Sequence, residues 1–524
     1  MSFLNSTPDA IAIYGDHGLL SKLGDVSASY SDGQLKIRAE STPLSFVRLR
    51  WNHALPQGTR FCGDAWERTY GDNCWSGFDA SRMMPWYFFA QLPSDGGVVA
   101  CGVKVRPGAF AAWSADPAGI TLWCDLRCGS CAVQLGGRTL DVVEVVSTKY
   151  TGICAYAAAG RFCAALCSDP RLPAAPVYGS NNWYYAYGDI TEESVLEDCR
   201  LLAELTAGLE NRPFMVIDDG WQELRGKCTD NYGPWRKGNA HFPDMAGLPA
   251  KMKAHGVRPG IWYRPLYIND DSLDRALFLN GRPFTLDPSH SDALKLVAED
   301  ITRLRDWGFE LVKHDFTTYD TTGHYAFDMH PWPCSNSPYG GQGTWAFHDR
   351  TRTTAEILVG LFRTIREAAG PVFIMGCNVI GHLAAGLQEL SRTGDDTSGR
   401  RWDRTRKMGV NTVAFRACQH RTFFEMDADC VGITGAIPWS LNRQWARLVA
   451  ASGSSLFVSP RPGVLDDAEK AELKALMAVA AKGVVAAEPL DWQDNACPEH
   501  WRINGVEQRF SWYENEGGEP DFVP

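Results

Sequence analysis

The sequence predicts a multidomain α/β and β protein. An N-terminal antiparallel β-sandwich is expected over 1–175, a central (β/α)8 barrel over 176–462 and a small C-terminal β-domain over 463–524. Three observations lead there. The first part alternates short apolar and polar runs between Gly, Asp and Pro, as in GQLKIRAE (33–40), LSFVRLRW (44–51) and GGVVACGVKVRPG (96–108), which suits sandwich strands. The segment SDPRLPAAP (168–176) then reads as a linker. Beyond it the rhythm changes to strand, long amphipathic helix, strand.

In that second part the strand candidates follow in order. They are VYGSNNWYYAYG, FMVIDDGW (214–221), VRPGIWYRP (257–265), ELVKHDF (310–316), VFIMGCN (372–378), SRTGDDT (391–397), RTFFEMDAD (421–429) and SSLFVSP (454–460). Helical patterns such as DALKLVAEDITRLRDWG (292–308) separate most of them. Thr191 is placed to cap a helix whose first turn carries Glu192 and Glu193, where the helix dipole favours negative charge. Eight strand–helix units suit a (β/α)8 barrel, and a doubly wound sheet is the alternative arrangement. After a helical stretch, AEKAELKALMAVAA, the segment RINGVEQRFSWYE reads as a terminal β-domain or hairpin.

Composition narrows the function. With 524 residues, two or three domains are expected. A formal net charge of −11 argues against nucleic acid or an anionic membrane as the main partner. No apolar run approaches the roughly 20 residues that span a bilayer. Nineteen Trp and seventeen Tyr suit packing against sugar faces, although β-sandwich cores also hold many aromatics. Sixteen Cys and an N-terminal stretch unlike a secretory leader predict a cytoplasmic protein with reduced thiols. Cys124, Cys128 and Cys131 have spacing that could ligate an iron–sulfur cluster, but they sit in a strand-like pattern and read as ordinary strand cysteines. No metal and no cofactor is expected, and assembly into a homo-oligomer is left open.

The chemistry is carried by carboxylates at strand ends. A retaining glycosidase needs a nucleophilic carboxylate and a second carboxyl that gives and then takes a proton. Asp315 suits the nucleophile: Lys313, two residues earlier, points to the same side and keeps it ionised. A plain Lys–Asp salt bridge is the competing reading. Asp218 and Asp219 precede Gly220 and Trp221, an arrangement suited to holding neighbouring sugar hydroxyls beside an indole. Helix capping is their competing reading. Asp395 and Asp396 are adjacent, so on a strand they face opposite ways and at most one is the acid. The other binds substrate or pairs with Arg392, Arg400 or Arg401. The segment GDAWERTYGDNCW (63–75), with Asp64, Trp66 and Trp75, reads either as a loop reaching over the barrel mouth to the leaving group or as a surface turn.

These motifs resemble glycoside hydrolase family 36, the α-galactosidases and relatives, whose cousin is family 27. The resemblance rests on Asn181–Asn182–Trp183, Asp218–Asp219–Gly220–Trp221, Gly260–Ile261–Trp262, Lys313–His314–Asp315 and Arg392 to Asp396, matching that family's strands in the same order. Gly376–Cys377–Asn378 looks like its cysteine-bearing strand end. The resemblance implies a sandwich, a catalytic barrel and a C-terminal β-domain, with a retaining two-aspartate mechanism that uses no metal and cleaves terminal α-galactosyl-type residues. Asp315 is then the nucleophile. Asp396 is the acid/base, because Arg392 precedes it by four residues as in family 27. Asp395 is the runner-up from the T-S-D-N-T form. Trp183, Asp218, Asp219, Trp221, Trp262, Arg264, Lys313, Cys377, Asn378 and Arg392 are expected to bind the sugar. The usual W-F-E-P-E motif is replaced by Trp262–Tyr263–Arg264–Pro265–Leu266, so Arg264 stands where those enzymes carry Glu. The glycine-rich run after the cysteine becomes NVIGHLAAG, bringing in His382, and His314 replaces an aromatic. A raffinose-synthase-like transglycosylase, an α-N-acetylgalactosaminidase and a carbohydrate-binding protein on a decayed barrel are the alternatives.

Overall fold

The computed structural model describes residues 3–4, 7–79, 81–93, 97–223, 231–323 and 345–513. The last residues of the expected C-terminal β-domain, 514–524, lie outside that set.

Alternation at the start of the chain does what its period requires. In Gln34–Arg38 the side chains are exposed and buried in turn, with Leu35 and Ile37 inside. Such strands build two antiparallel sheets. One runs, edge to edge, through Gly18–Leu19, Ala10–Gly15, Phe46–Trp51, Gly119–Asp125, Phe110–Asp116 and Met84–Pro85. The other runs through Ser27–Ser31, Gln34–Arg38, Thr139–Tyr150, Val98–Val103, Tyr87–Gln91 and Arg60–Gly63. Trp51, Trp86 and Trp113 are fully buried among them, so part of the aromatic load is core. Cys124 lies buried in a strand of the first sheet, and the Cys128 thiol donates to the Asp349 carbonyl at 3.4 Å.

The region expected to be all β also contains a helix, Ala155–Leu166. It buries Ala155, Ala158, Ala159, Phe162, Cys163 and Leu166, a helical spacing of small and apolar residues that the strand-like surroundings obscured.

From Tyr178 the chain winds a single parallel sheet. Strands Tyr178–Asn181, Phe214–Ile217, Arg258–Tyr263, Leu311–His314, Phe373–Gly376, Leu390–Arg392 and Glu425–Asp427 pair in sequence order. Leu456–Pro460 pairs with Tyr178–Asn181 on one side and with Val431–Ile433 on the other. Glu425–Asp427 and Val431–Ile433 are separated by three residues, and Asp427 bridges Ser455, so the sheet is curled. Sequential winding excludes the doubly wound order, in which the strand order reverses. Thr191 caps Glu192–Leu205 through Ser194, in a reciprocal capping box. The long pattern at 292–308 folds as the helix Ser291–Trp307.

The sandwich docks on the sheet through polar and aromatic contacts. Arg416 pairs with Asp64 at 2.8 Å, and the ring of His382 stacks on Trp86 with centroids 4.8 Å apart. The helix Asp467–Ala480 leads into a three-stranded sheet of Ala487–Pro489, His500–Ile503 and Val506–Arg509. No helix among the described residues is long and apolar enough to cross a membrane.

Candidate active site

Parallel strands deliver their C-terminal residues to one end of the sheet, and a small recess lies there. Trp183, Asp218, Asp219, Trp262, Lys313, Asp315, Cys377, Arg392 and Asp396 all line it. Tyr184, Asn231 and Phe316, which no motif singled out, line it as well.

Lys313 and Asp218 form the floor. Lys313 Nζ lies 2.8 Å from Asp218 Oδ2, which also accepts from Asn181 Nδ2 at 2.6 Å. Asn182 Oδ1 accepts from the Asp218 amide at 2.9 Å, so the paired asparagines hold this aspartate from both chain and side chain. Burial disfavours the Lys313 ammonium, but Asp218 first, with Cys377 and Asp315, together outweigh it and hold the lysine charged. Asp219 accepts from Gln222 Nε2 at 2.6 Å and from Asn231 Nδ2 at 3.3 Å. The turn between them and Trp221 needs glycine: Gly220 has φ +123°, and a Cβ there would collide with the Gly188 carbonyl.

Asp315 follows the strand Leu311–His314. Its Oδ2 accepts from Trp262 Nε1 at 3.2 Å and its Oδ1 from the Phe316 amide at 2.8 Å. Phe316 takes φ +60°, uncommon for an aromatic residue, and so turns the chain sharply just after this carboxylate. Neighbouring His314 points the other way: it is buried, and burial holds its imidazole down at about 3.

The aspartate pair lies just beyond the strand Leu390–Arg392, and its two side chains go to different partners. Asp396 faces the recess, 2.8 Å from Arg392 Nη2 and 3.6 Å from Arg68 Nη1. Asp395 does not line it. Its two oxygens lie 3.1 Å from Arg68 Nη2 and 2.6 Å from Arg404 Nη2. Burial pushes the Asp396 carboxyl up, but Arg392, Arg68 and Lys313 together bring it down to about 2. Arg392 also holds Asp429 at 2.7 Å and donates to the Cys377 thiol at 3.5 Å.

Three residues expected in the site stand behind it instead. Trp221 is fully buried and donates to the Trp262 carbonyl at 2.9 Å. Arg264 is gripped by Asp320, with Nε 2.9 Å from Oδ2 and Nη2 2.5 Å from Oδ1, and it also donates to Asn231. Its guanidinium lies between the rings of Tyr267 and Phe316. Asn378 donates to Glu67 Oε2 at 3.1 Å and accepts from the Tyr319 amide. His382, new relative to the family pattern, contacts the sandwich carbonyl of Val103 at 3.0 Å rather than the recess.

The segment at 63–75 does reach the sheet end, though not through its tryptophans. Trp66 packs on Trp86 and Phe110, and Trp75 on Trp492. Arg68 makes the approach. Only its place in that segment could have signalled it. Asp429 lay in the strand pattern at 421–429 without a role, and Asn231 belonged to no motif.

The fold and the recess define the class: an α/β protein of the architecture found in α-galactosidases of glycoside hydrolase family 36. Among solved structures, an α-galactosidase from Thermus thermophilus, in complex with p-nitrophenyl α-D-galactopyranoside, superposes with TM-score 0.61 at 17% identity, over 97% of this chain and 99% of that one. The GH36 α-galactosidase AgaA from Geobacillus stearothermophilus, in complex with stachyose, gives TM-score 0.57 at 15% identity, over 92% and 73%. At such identity the likeness establishes the fold. No protein-family profile matches the chain. Two curated relatives are α-galactosidases too. AgaA of Geobacillus stearothermophilus is 28% identical over 138 residues, 24% of this chain and 18% of that protein. The bifunctional α-galactosidase/sucrose kinase AgaSK of Mediterraneibacter gnavus is 30% identical over 154 residues, 27% of this chain and 16% of that protein. Each match therefore spans under a fifth of the curated relative.

Proposed function

We propose that this protein is a retaining glycoside hydrolase that removes terminal α-galactosyl-type residues, with the curled sheet serving as its catalytic (β/α)8 barrel. One observation carries the reading: Asp315 and Asp396, after separate strands, line a single recess whose other walls include carboxylates, cations and indoles suited to a neutral sugar.

Asp315 attacks the anomeric carbon while Asp396 protonates the departing glycosidic oxygen. Asp396 then takes a proton from water as water displaces Asp315. Hydrogen bonds from the Trp262 indole and the Phe316 amide hold the Asp315 carboxylate in place. Asp218 and Asp219 hold vicinal hydroxyls, while Trp183 and Trp262 flank the ring. Arg392, Arg68 and Lys313 stabilise Asp396 as a carboxylate, the form the second step requires. The first step needs the bound substrate to loosen the grip of Arg392 and Arg68, so that Asp396 carries a proton.

A panel of chromogenic glycosides tests this. An α-galactoside should exceed the matching α-glucoside by at least about tenfold in kcat/KM, and Asp219→Ala should erode that preference. Equal turnover of the α-glucoside would remove the galacto assignment. Faster turnover of the α-N-acetylgalactosaminide, or transfer products in place of free galactose, would select the related activities.

A further inference from the structure

The segment around Arg68 belongs to the sandwich by chain order, yet it is sewn to the sheet end that bears the aspartate pair. The Thr69 amide donates to the Thr393 carbonyl at 2.9 Å, and the Asp395 amide donates to the Thr69 carbonyl at 2.8 Å. Thr69 and Gly394 thus pair as neighbours in a parallel ladder. The Thr69 and Thr412 hydroxyls meet at 2.7 Å. A buried backbone pairing of this kind fixes the residue before it, which is Arg68.

The Arg68 side chain is only 13% exposed and lies over the Tyr70 ring. The Tyr70 hydroxyl donates to Glu67, and Glu67 accepts from Asn378, so the whole Glu67–Tyr70 unit is tied to the strand end after Cys377. From this position the guanidinium divides itself between Asp395 and Asp396. The other charged and titratable groups facing the pair are Arg392 at the end of the preceding strand, Lys313 across the recess, Arg404 in the short helix Trp402–Thr405, Tyr184 and Tyr187 after the first strand, and Asp429 through Arg392.

We propose that Arg68 is a positioning residue for the aspartate pair, supplied by the sandwich: with Arg404 it anchors Asp395 away from the recess, and it steadies Asp396 toward it as a carboxylate. The proposal rests on Asp396 being the acid/base. It makes the pH range of the enzyme depend on docking of the sandwich, since withdrawing one cation raises the pH at which Asp396 gives up its proton.

The test is the titration of Asp396 in the full chain, followed by NMR of 13C-carboxyl-labelled aspartate and assigned with Asp396→Asn. Arg68→Met should move that titration up by about one pH unit. The limb of the kcat/KM profile that Asp396 controls should move with it on an unactivated α-galactoside. Arg68→Lys should restore most of the shift. Arg68→Gln retains hydrogen bonding without charge and serves if the Met variant does not fold. An Asp396 titration that stays in place in a folded Arg68→Met or Arg68→Gln protein overturns the proposal. A titration that moves in a protein whose wild type cleaves no α-glycoside leaves Arg68 in its role and removes the functional reading instead.

Discussion

Asp395 and Asp396, just beyond the strand Leu390–Arg392, meet different fates through the arginines that reach them. Asp395 has both oxygens held by arginines, whereas Asp396 turns its carboxylate to the recess. Removing a true acid hurts substrates with poor leaving groups far more than aryl glycosides, which need little protonation. Asp396→Asn should show that selectivity and Asp395→Asn should not; the reverse pattern would exchange their roles. Asp315→Ala should lose activity by several orders of magnitude, with azide restoring turnover of an activated substrate. Near-normal turnover in that variant would exclude Asp315 as nucleophile.

Elements position these residues through networks that a motif does not reveal. Arg264 follows the strand Arg258–Tyr263 and clamps the helix Thr317–Thr322 through buried Asp320. Its place in a departed motif suggested sugar contact, yet its donors are committed to Asp320 and Asn231. Replacing it strands a buried carboxylate. Arg264→Leu should therefore cost about 3–5 kcal/mol of stability in denaturant unfolding. A loss below 1 kcal/mol would mean that Asp320 finds water or another partner. Other elements were legible from local rules. The Thr191 cap followed from side-chain chemistry, and the helix at 292–308 from its apolar period. The helix Ala155–Leu166 was not, because its small apolar residues sit among strand-like neighbours.

Across the whole molecule, buried titratable groups pull stability in opposite directions with pH. Burial pushes Asp198 up to about 7, despite the hydrogen bond from the Tyr185 hydroxyl, and likewise pushes Glu425 up to about 7. For both, the folded state binds the proton more tightly than the unfolded chain. Their contribution is complete below about pH 4 and is lost as pH rises through about 7. His314 and His382, held down at about 3, and His420, at about 4, act the other way. Their neutral burial favours folding above the unfolded imidazole value, and that contribution is lost as pH falls. The two groups oppose each other through mildly acidic pH. Asp198→Asn isolates one of them: relative to wild type, its unfolding midpoint should rise steadily from about pH 4 to about pH 7. Parallel curves for the two proteins would show that Asp198 does not titrate in that range.

What the sequence by itself determined is what local chemistry determines. Alternation marked the sandwich strands, and apolar runs ending in charge marked the parallel strands. The order of Asn181–Asn182, Asp218–Asp219, Lys313–Asp315 and Arg392–Asp396 was readable because each group sits on one short strand end. Tertiary structure decided the rest. It chose which of Asp395 and Asp396 faces the recess, since that depends on the arginines brought to the pair, Arg68 and Arg404 on Asp395 and Arg392 on Asp396. It drew Arg264, Asn378 and Trp221 behind the site, because their partners Asp320, Glu67 and the Trp262 carbonyl lie on other elements. It also brought Arg68 from the sandwich to the aspartate pair through the pairing of Thr69 with Gly394. That contact joins residues over 300 positions apart, and no spacing rule encodes it, because backbone hydrogen bonds between distant segments leave no pattern in side-chain identity.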